Sequence, residues 1–105
     1  MAKVAYLVSD LLFVSKIRET ASQLGLELVR ATDAATLASS GAQLAIVDLR
    51  RPDAMAALEA AKMRKVGFVD HEREDLMQAA RERDCQPLAK GKFSSELPKI
   101  LASIV

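Results

Sequence analysis

Three carboxylates and one amine stand at or just past the ends of short apolar runs in this chain. Asp48 follows residues 44–47, Asp70 follows residues 66–69, Lys90 follows residues 87–89, and Asp10 lies two places beyond residues 4–8. Carboxylates gathered at one place bind a divalent cation, because hard cations prefer oxygen ligands and often hold phosphates as well. An amine beside them would stabilise negative charge developing on a phosphoryl group. Ser9 would add a hydroxyl to such a crevice, and Arg50, with Arg51 beside it, a guanidinium on its rim that can bind a partner's acidic group or simply remain solvated. His71 beside Asp70 is a candidate metal ligand or pH-sensitive contact, or else an ordinary occupant of a helix's first turn. The competing chemistry is local. Acidic residues at strand ends cap the helices that follow, and for Asp70 capping is the reading the sequence favours.

What surrounds these residues limits the options. The 105 residues, half of them hydrophobic, suffice for one core and suggest one domain over residues 1–105. Fifteen Lys and Arg against fourteen Asp and Glu leave a net charge of +1, without the basic excess that a phosphate backbone requires, so nucleic acid is not an expected partner. A single cysteine, Cys85, forms no internal disulfide, and with one histidine it leaves too few soft ligands for structural zinc. It is read as a small, partly buried apolar residue just before a strand. The apolar start is interrupted by Ser9 and Asp10, unlike a signal peptide or a membrane span. A cytoplasmic protein without membrane attachment is the expectation.

The elements that must position the candidate residues follow from periodicity. Apolar runs of strand length alternate with stretches of helical period, the pattern of βα units around a parallel sheet. Residues 4–8 form the first strand. Phe13, Ile17, Ala21 and Leu24 mark a helix that Gly25 stops. Residues 26–29 make a brief second strand, and Thr32 or Asp33 caps a short helix through Leu37. Residues 44–47 are the clearest buried strand, and Ala54, Ala57, Leu58 and Ala61 share one face of the next helix. Residues 66–69 give the fourth strand, and Leu76, Ala79 and Ala80 the inward face of a helix whose solvated start is the charge run 72–75. Residues 87–89 give a fifth strand that Pro87 restricts to a sheet edge. A last helix is expected to start at Ser94 or Ser95, with Leu97, Ile100, Leu101 and Ile104 inward and Pro98 in its first turn. In such open sheets the functional crevice lies beyond the carboxyl ends of the strands, where Ser9, Asp10, Asp48, Asp70, His71 and Lys90 fall.

At these residues the chain resembles the receiver domains of bacterial response regulators (the CheY-like superfamily) over nearly its whole length. In that family a phosphoacceptor Asp ends strand three with a Pro four residues on, matched by Asp48 and Pro52. A Lys ends strand five with a hydrophobic residue seven places later, matched by Lys90 and Leu97. The acidic pair after strand one is matched only in its second member, Asp10, since Ser9 takes the other place. The family's Ser or Thr after strand four is here Asp70, its aromatic toggle in strand five falls at Pro87, and its cis-proline after the Lys is replaced by Gly91, with the next aromatic displaced to Phe93. The resemblance implies a doubly wound (βα)5, flavodoxin-like α/β domain with strand order 2-1-3-4-5. With these departures the chain resembles the degenerate branch known as pseudo-receivers, whose members are thought to work by contact.

Three functions stay open on the sequence. One is a non-catalytic signalling or protein-interaction module, with no enzymatic role, no cofactor and a vestigial phosphoacceptor site at Asp48 and Lys90. Another is an atypical phosphoacceptor, with Asp48 as nucleophile, Asp10 and Asp48 holding Mg2+ weakly and Lys90 bonding the phosphoryl oxygens. The third is a small-ligand or metal-binding protein or a hydrolase using Asp10, Asp48, Asp70 and His71, though no Gly-rich phosphate loop, nucleophile elbow or spaced His pair supports it. The resemblance also implies pairing through the face of the fourth helix, fifth strand and last helix, which carries Met77, Arg81, Lys92 and Lys99. A modest homodimer or an acidic protein partner would suit that face.

Overall fold

A computed structural model describes residues 2–105. In chain order it contains β1 (Lys3–Leu7), α1 (Leu11–Gln23), β2 (Glu27–Arg30), α2 (Ala34–Ala38), β3 (Leu44–Asp48), α3 (Ala54–Ala60), β4 (Arg64–Val69), α4 (Glu74–Arg81), β5 (Cys85–Ala89) and α5 (Lys90–Ala102). The strands form one parallel sheet in the order β2-β1-β3-β4-β5, as the alternation of elements implies. A strand in the middle of such a sheet is covered on both faces, and β3 accordingly buries Leu44, Ala45, Ile46 and Val47 completely.

Successive side chains of a strand point to opposite faces, so each central strand feeds two cores. Val4, Tyr6, Leu44, Ile46, Val66 and Phe68 share one cluster with residues of α1 and α5. Ala5, Leu7, Ala45, Val47 and Val69 share the other with residues of α2, α3 and α4. Ile46, Val47, Leu7 and Phe68 are all fully buried, as expected of the core.

Local sequence sets the helix ends. Asp10 caps α1, its carboxylate accepting from the backbone N–H of Leu12 at 2.9 Å. At the other end Gly25, with φ of 69°, allows Leu26 N–H to reach Ala21 O and Gly25 N–H to reach Ser22 O, the paired bonds of a Schellman stop. Asp33, not Thr32, caps α2, in a reciprocal capping box with Thr36. The Thr36 backbone N–H holds the Asp33 carboxyl below the usual carboxylate range.

Three expectations are corrected. Helix α5 begins at Lys90, one turn before Ser94 or Ser95, and Pro98 therefore lies inside it. The cause is Phe93, fully buried among apolar neighbours, which extends the inward stripe of Leu97 and Leu101 backward by a turn. Pro98 is on the exposed side, so its ring meets solvent, while its missing N–H leaves one helical bond unmade. Helix α4 is not capped by Asp70. Its N-cap is Arg73, which makes no side-chain cap bond, and Asp70 contributes only its backbone carbonyl, accepting from Arg73 N–H at 3.0 Å. Strand β5 starts at Cys85 rather than at residue 87, and Cys85 is buried within it, while Pro87 does lie on an edge strand.

Two positions that carry no obvious sequence signal hold the middle of the fold. A Cβ on Gly67 would lie 2.6 Å from Leu49 Cδ2, so glycine is required there for packing rather than for backbone conformation. Lys65 is buried, and its ammonium donates to the carbonyls of Leu58 and Ala61 at 3.2 and 2.9 Å, closing the C-terminal end of α3.

Candidate functional site

The carboxyl ends of β1, β3, β4 and β5 bring Asp10, Asp48, Asp70 and Lys90 to one end of the sheet. Lys90, the first residue of α5, reaches back across this end. Its Nζ stands 3.3 Å from Asp70 Oδ1 and 3.9 Å from Asp10 Oδ2, and 5.8 Å from the centre of the Phe13 ring. Beneath it the chain's three phenylalanines stack, Phe13 on Phe68 at 4.6 Å and Phe68 on Phe93 at 4.8 Å between ring centres. An ammonium over an aromatic face is favoured by the ring's quadrupole, so this stack gives Lys90 a firm and attractive floor.

Asp70 is the junction of the site. One carboxylate oxygen meets Lys90, and the other accepts from Arg50 Nη1 at 2.9 Å. The hydrogen bond with the Lys90 ammonium, together with the charge of Arg50, holds its carboxyl below the usual carboxylate range. Turned toward these two cations, the Asp70 carboxylate makes no bond to a helix amide, and the cap expected of it is missing.

Asp10 and Asp48 are committed to their own loops. Asp10 Oδ1 accepts from Leu12 N–H, and Asp48 Oδ1 accepts from Arg50 N–H at 3.1 Å. Among the described residues no three His, Cys, Asp or Glu side chains gather closely enough to hold a metal ion. As a magnesium site the pair fits poorly. Two carboxylates would suffice for magnesium, which keeps several waters, but an ammonium already stands against Asp10.

The remaining candidates divide. Ser9 faces the crevice through Arg51, accepting from its Nη1 at 2.7 Å. Arg51, which sequence reasoning left as a solvated or partner-binding residue, is half-buried and also donates to Thr32 O and, through Nε and Nη2, to both oxygens of Asp53. The bidentate pair lowers the Asp53 carboxyl and raises the Arg51 guanidinium from their ordinary values. The signal for it was the two-residue spacing of Arg51 and Asp53 in one short loop. His71 stays outside the cluster. It is exposed on the turn before α4, its Nε2 standing 3.3 Å from Glu72 Oε1.

On the face of α4, β5 and α5, Met77 is half-buried against the core, Arg81 is paired with Glu74 and Lys92 with Glu96. The basic rim expected there is thus partly neutralised within the chain, and Lys99 is exposed. No helix among the described residues is long and apolar enough to cross a membrane.

No family model and no curated protein matches the sequence. Solved structures do match the fold. The chemotaxis response regulator CheY4 of Vibrio cholerae is 18% identical with a TM-score of 0.79, over 100% of this chain and 99% of that one. A response regulator from Hahella chejuensis gives 14% identity and a TM-score of 0.81, over 100% and 96%. The phosphorylated cyanobacterial phytochrome response regulator RcpA gives 19% and 0.75, over 98% and 90%. The fold is therefore that of CheY-like receiver domains.

Proposed function

We propose that this chain is a pseudo-receiver, a non-catalytic signalling module that acts by contact with a protein partner and not by phosphotransfer. The observation that carries this reading is the bridge made by Asp70. Lys90 and Arg50, the cations that would meet an incoming phosphoryl group, are already bound to a carboxylate of the chain itself. A lone carboxylate at this place would repel phosphate by its charge. With two cations against it, Asp70 acts instead by occupancy, since an entering anion must compete with it for both.

Incubation with acetyl phosphate and magnesium is expected to leave Asp48 unmodified by mass spectrometry, and Asp48→Asn to keep whatever partner binding the wild type shows. Stable phosphorylation of Asp48 with a change in partner affinity would overturn the reading. It would favour the atypical phosphoacceptor, for which the placing of Asp10 and Lys90 within 3.9 Å of each other is the supporting observation. Pairing of two copies through the face of α4, β5 and α5 belongs to this proposal as well. So does a reducing cytoplasmic setting, which suits the buried free thiol of Cys85.

A further inference from the structure

On the outer side of α1 the helix does not fully cover the sheet. Leu11, Val14 and Arg18 fall on one stripe of the helix by their spacing of three and four, and Leu26, Leu28 and Arg30 fall on one side of the edge strand by their spacing of two. Between the two rows lies a groove of about 550 Å³, with Tyr6 of β1 in its lining. Leu26 and Leu28 are only half-buried, and Leu11 at the mouth is 77% exposed, so apolar surface is left facing water.

Most arginines elsewhere on the molecule are paired with a carboxylate of the chain, Arg64, which meets Ser103 Oγ, being the exception. Arg50, Arg51, Arg73, Arg81 and Arg83 each hold a carboxylate of the chain within 4 Å. Arg18 and Arg30 are exposed, and among the described residues neither has such a partner. An apolar floor with two unpaired guanidiniums along it complements a segment that carries carboxylates around an apolar anchor.

We infer that the groove between α1 and β2 docks a short acidic and apolar segment of a partner protein. The inference rests on the reading of the chain as a contact module and names the surface and chemistry of that contact. Apolar side chains of the segment would cover Leu11, Leu26 and Leu28, supplying most of the affinity, and its carboxylates would engage Arg18 and Arg30, fixing orientation and speeding association.

The test is selection of phage-displayed random peptides on the full chain, followed by fluorescence anisotropy and amide NMR titration with the selected peptide. Selected peptides should combine carboxylates with Leu, Phe or Tyr, and shifts should cluster at Leu11, Val14, Arg18, Leu26 and Leu28. The double variant Arg18→Glu with Arg30→Glu should bind about tenfold or more weakly, with circular dichroism unchanged. Leu11→Ser, a change at an exposed position, should also weaken binding. Selection of no peptide, peptides without carboxylates, equal affinity for the charge-reversed variant, or shifts mapping elsewhere would each overturn the inference. So would a concentration-dependent dimer that the same variants abolish, because the occupant would then be a second copy. Phosphorylation of Asp48 is read separately by mass, so the groove can fail while the pseudo-receiver reading stands, or stand while that reading fails.

Discussion

Asp70 could have capped the helix that follows it or turned across the crevice, and the cations on the far side decide the matter. Capping joins the carboxylate to one or two amide dipoles, whereas the bridge sets it against two full positive charges, whose attraction adds to the bonds themselves. A carboxyl lowered in the folded state binds its proton less readily than in the unfolded chain. The bridge therefore adds stability above the ordinary carboxylate value of about 3.9, and that stability is lost as pH falls through the lower folded value. NMR titration of the Asp70 carboxyl carbon should give a midpoint below that of a model aspartate, and Asp70 should keep Lys90 and Arg50 bound through the neutral range. Cys85 shows the opposite sign. Burial pushes its thiol up to about 12, so it keeps its proton where an unfolded thiol would ionise. A chromogenic disulfide reagent at pH 8 should leave it unreacted in the native chain and titrate it fully in denaturant. Because the unfolded chain loses that proton first, its stability contribution falls as pH rises above the ordinary thiol value. The positions of Asp10, Asp48 and Lys90 at one sheet end were legible, since each follows an apolar run. The partner of Asp70 and the fork of Arg51 were not, because they depend on which loops meet in space.

Among the elements, β3 and the apolar part of β4, residues 66–69, could be read directly, as short apolar runs suit a covered parallel sheet, whereas Arg64 and Lys65 at the start of β4 could not. The start of α5 could not. Ser94 and Ser95 are good cap residues, yet the cap preference is about 1 kcal/mol, and burying a phenylalanine is worth more, about 1.5–3 kcal/mol. Phe93 wins, and the two serines end up inside the helix. Gly67 is a second case of tertiary packing overriding local sequence. A glycine inside a strand weakens it by itself, so the residue is retained because Leu49 packs onto the space where a side chain would be. Leu49 is itself 1% exposed and cannot swing away. Gly67→Ala should therefore destabilise the fold by about 1–3 kcal/mol through overpacking, measured by urea unfolding. Combining it with Leu49→Ala should cost less than the sum of the two single changes, which would separate this clash from a loss of strand propensity.

Over the whole molecule, one of the two cores and the crevice are linked by the same few residues. Phe13 of α1, Phe68 of β4 and Phe93 of α5 tie one face of the sheet together directly under Lys90, while Arg50 reaches Asp70 from the loop after β3. Four strand ends are thus held in one arrangement by ion pairs above and rings below. A switch would need this arrangement to have a second stable form and a ligand that prefers it. In the present form the cations are satisfied by Asp70, so an added anion gains only the difference between its own pairs and those it breaks. Replacing Asp70 by threonine would remove the internal anion and restore a hydroxyl, leaving Lys90 and Arg50 free to meet an external one. NMR titration with magnesium and then beryllofluoride should leave the wild-type amides at Asp10, Asp48 and Lys90 in place. In Asp70→Thr the same titration should shift those amides, and far fewer elsewhere. If the wild type responds as strongly as the variant, the bridge is not the barrier, and Asp48 must be reconsidered as a working phosphoacceptor.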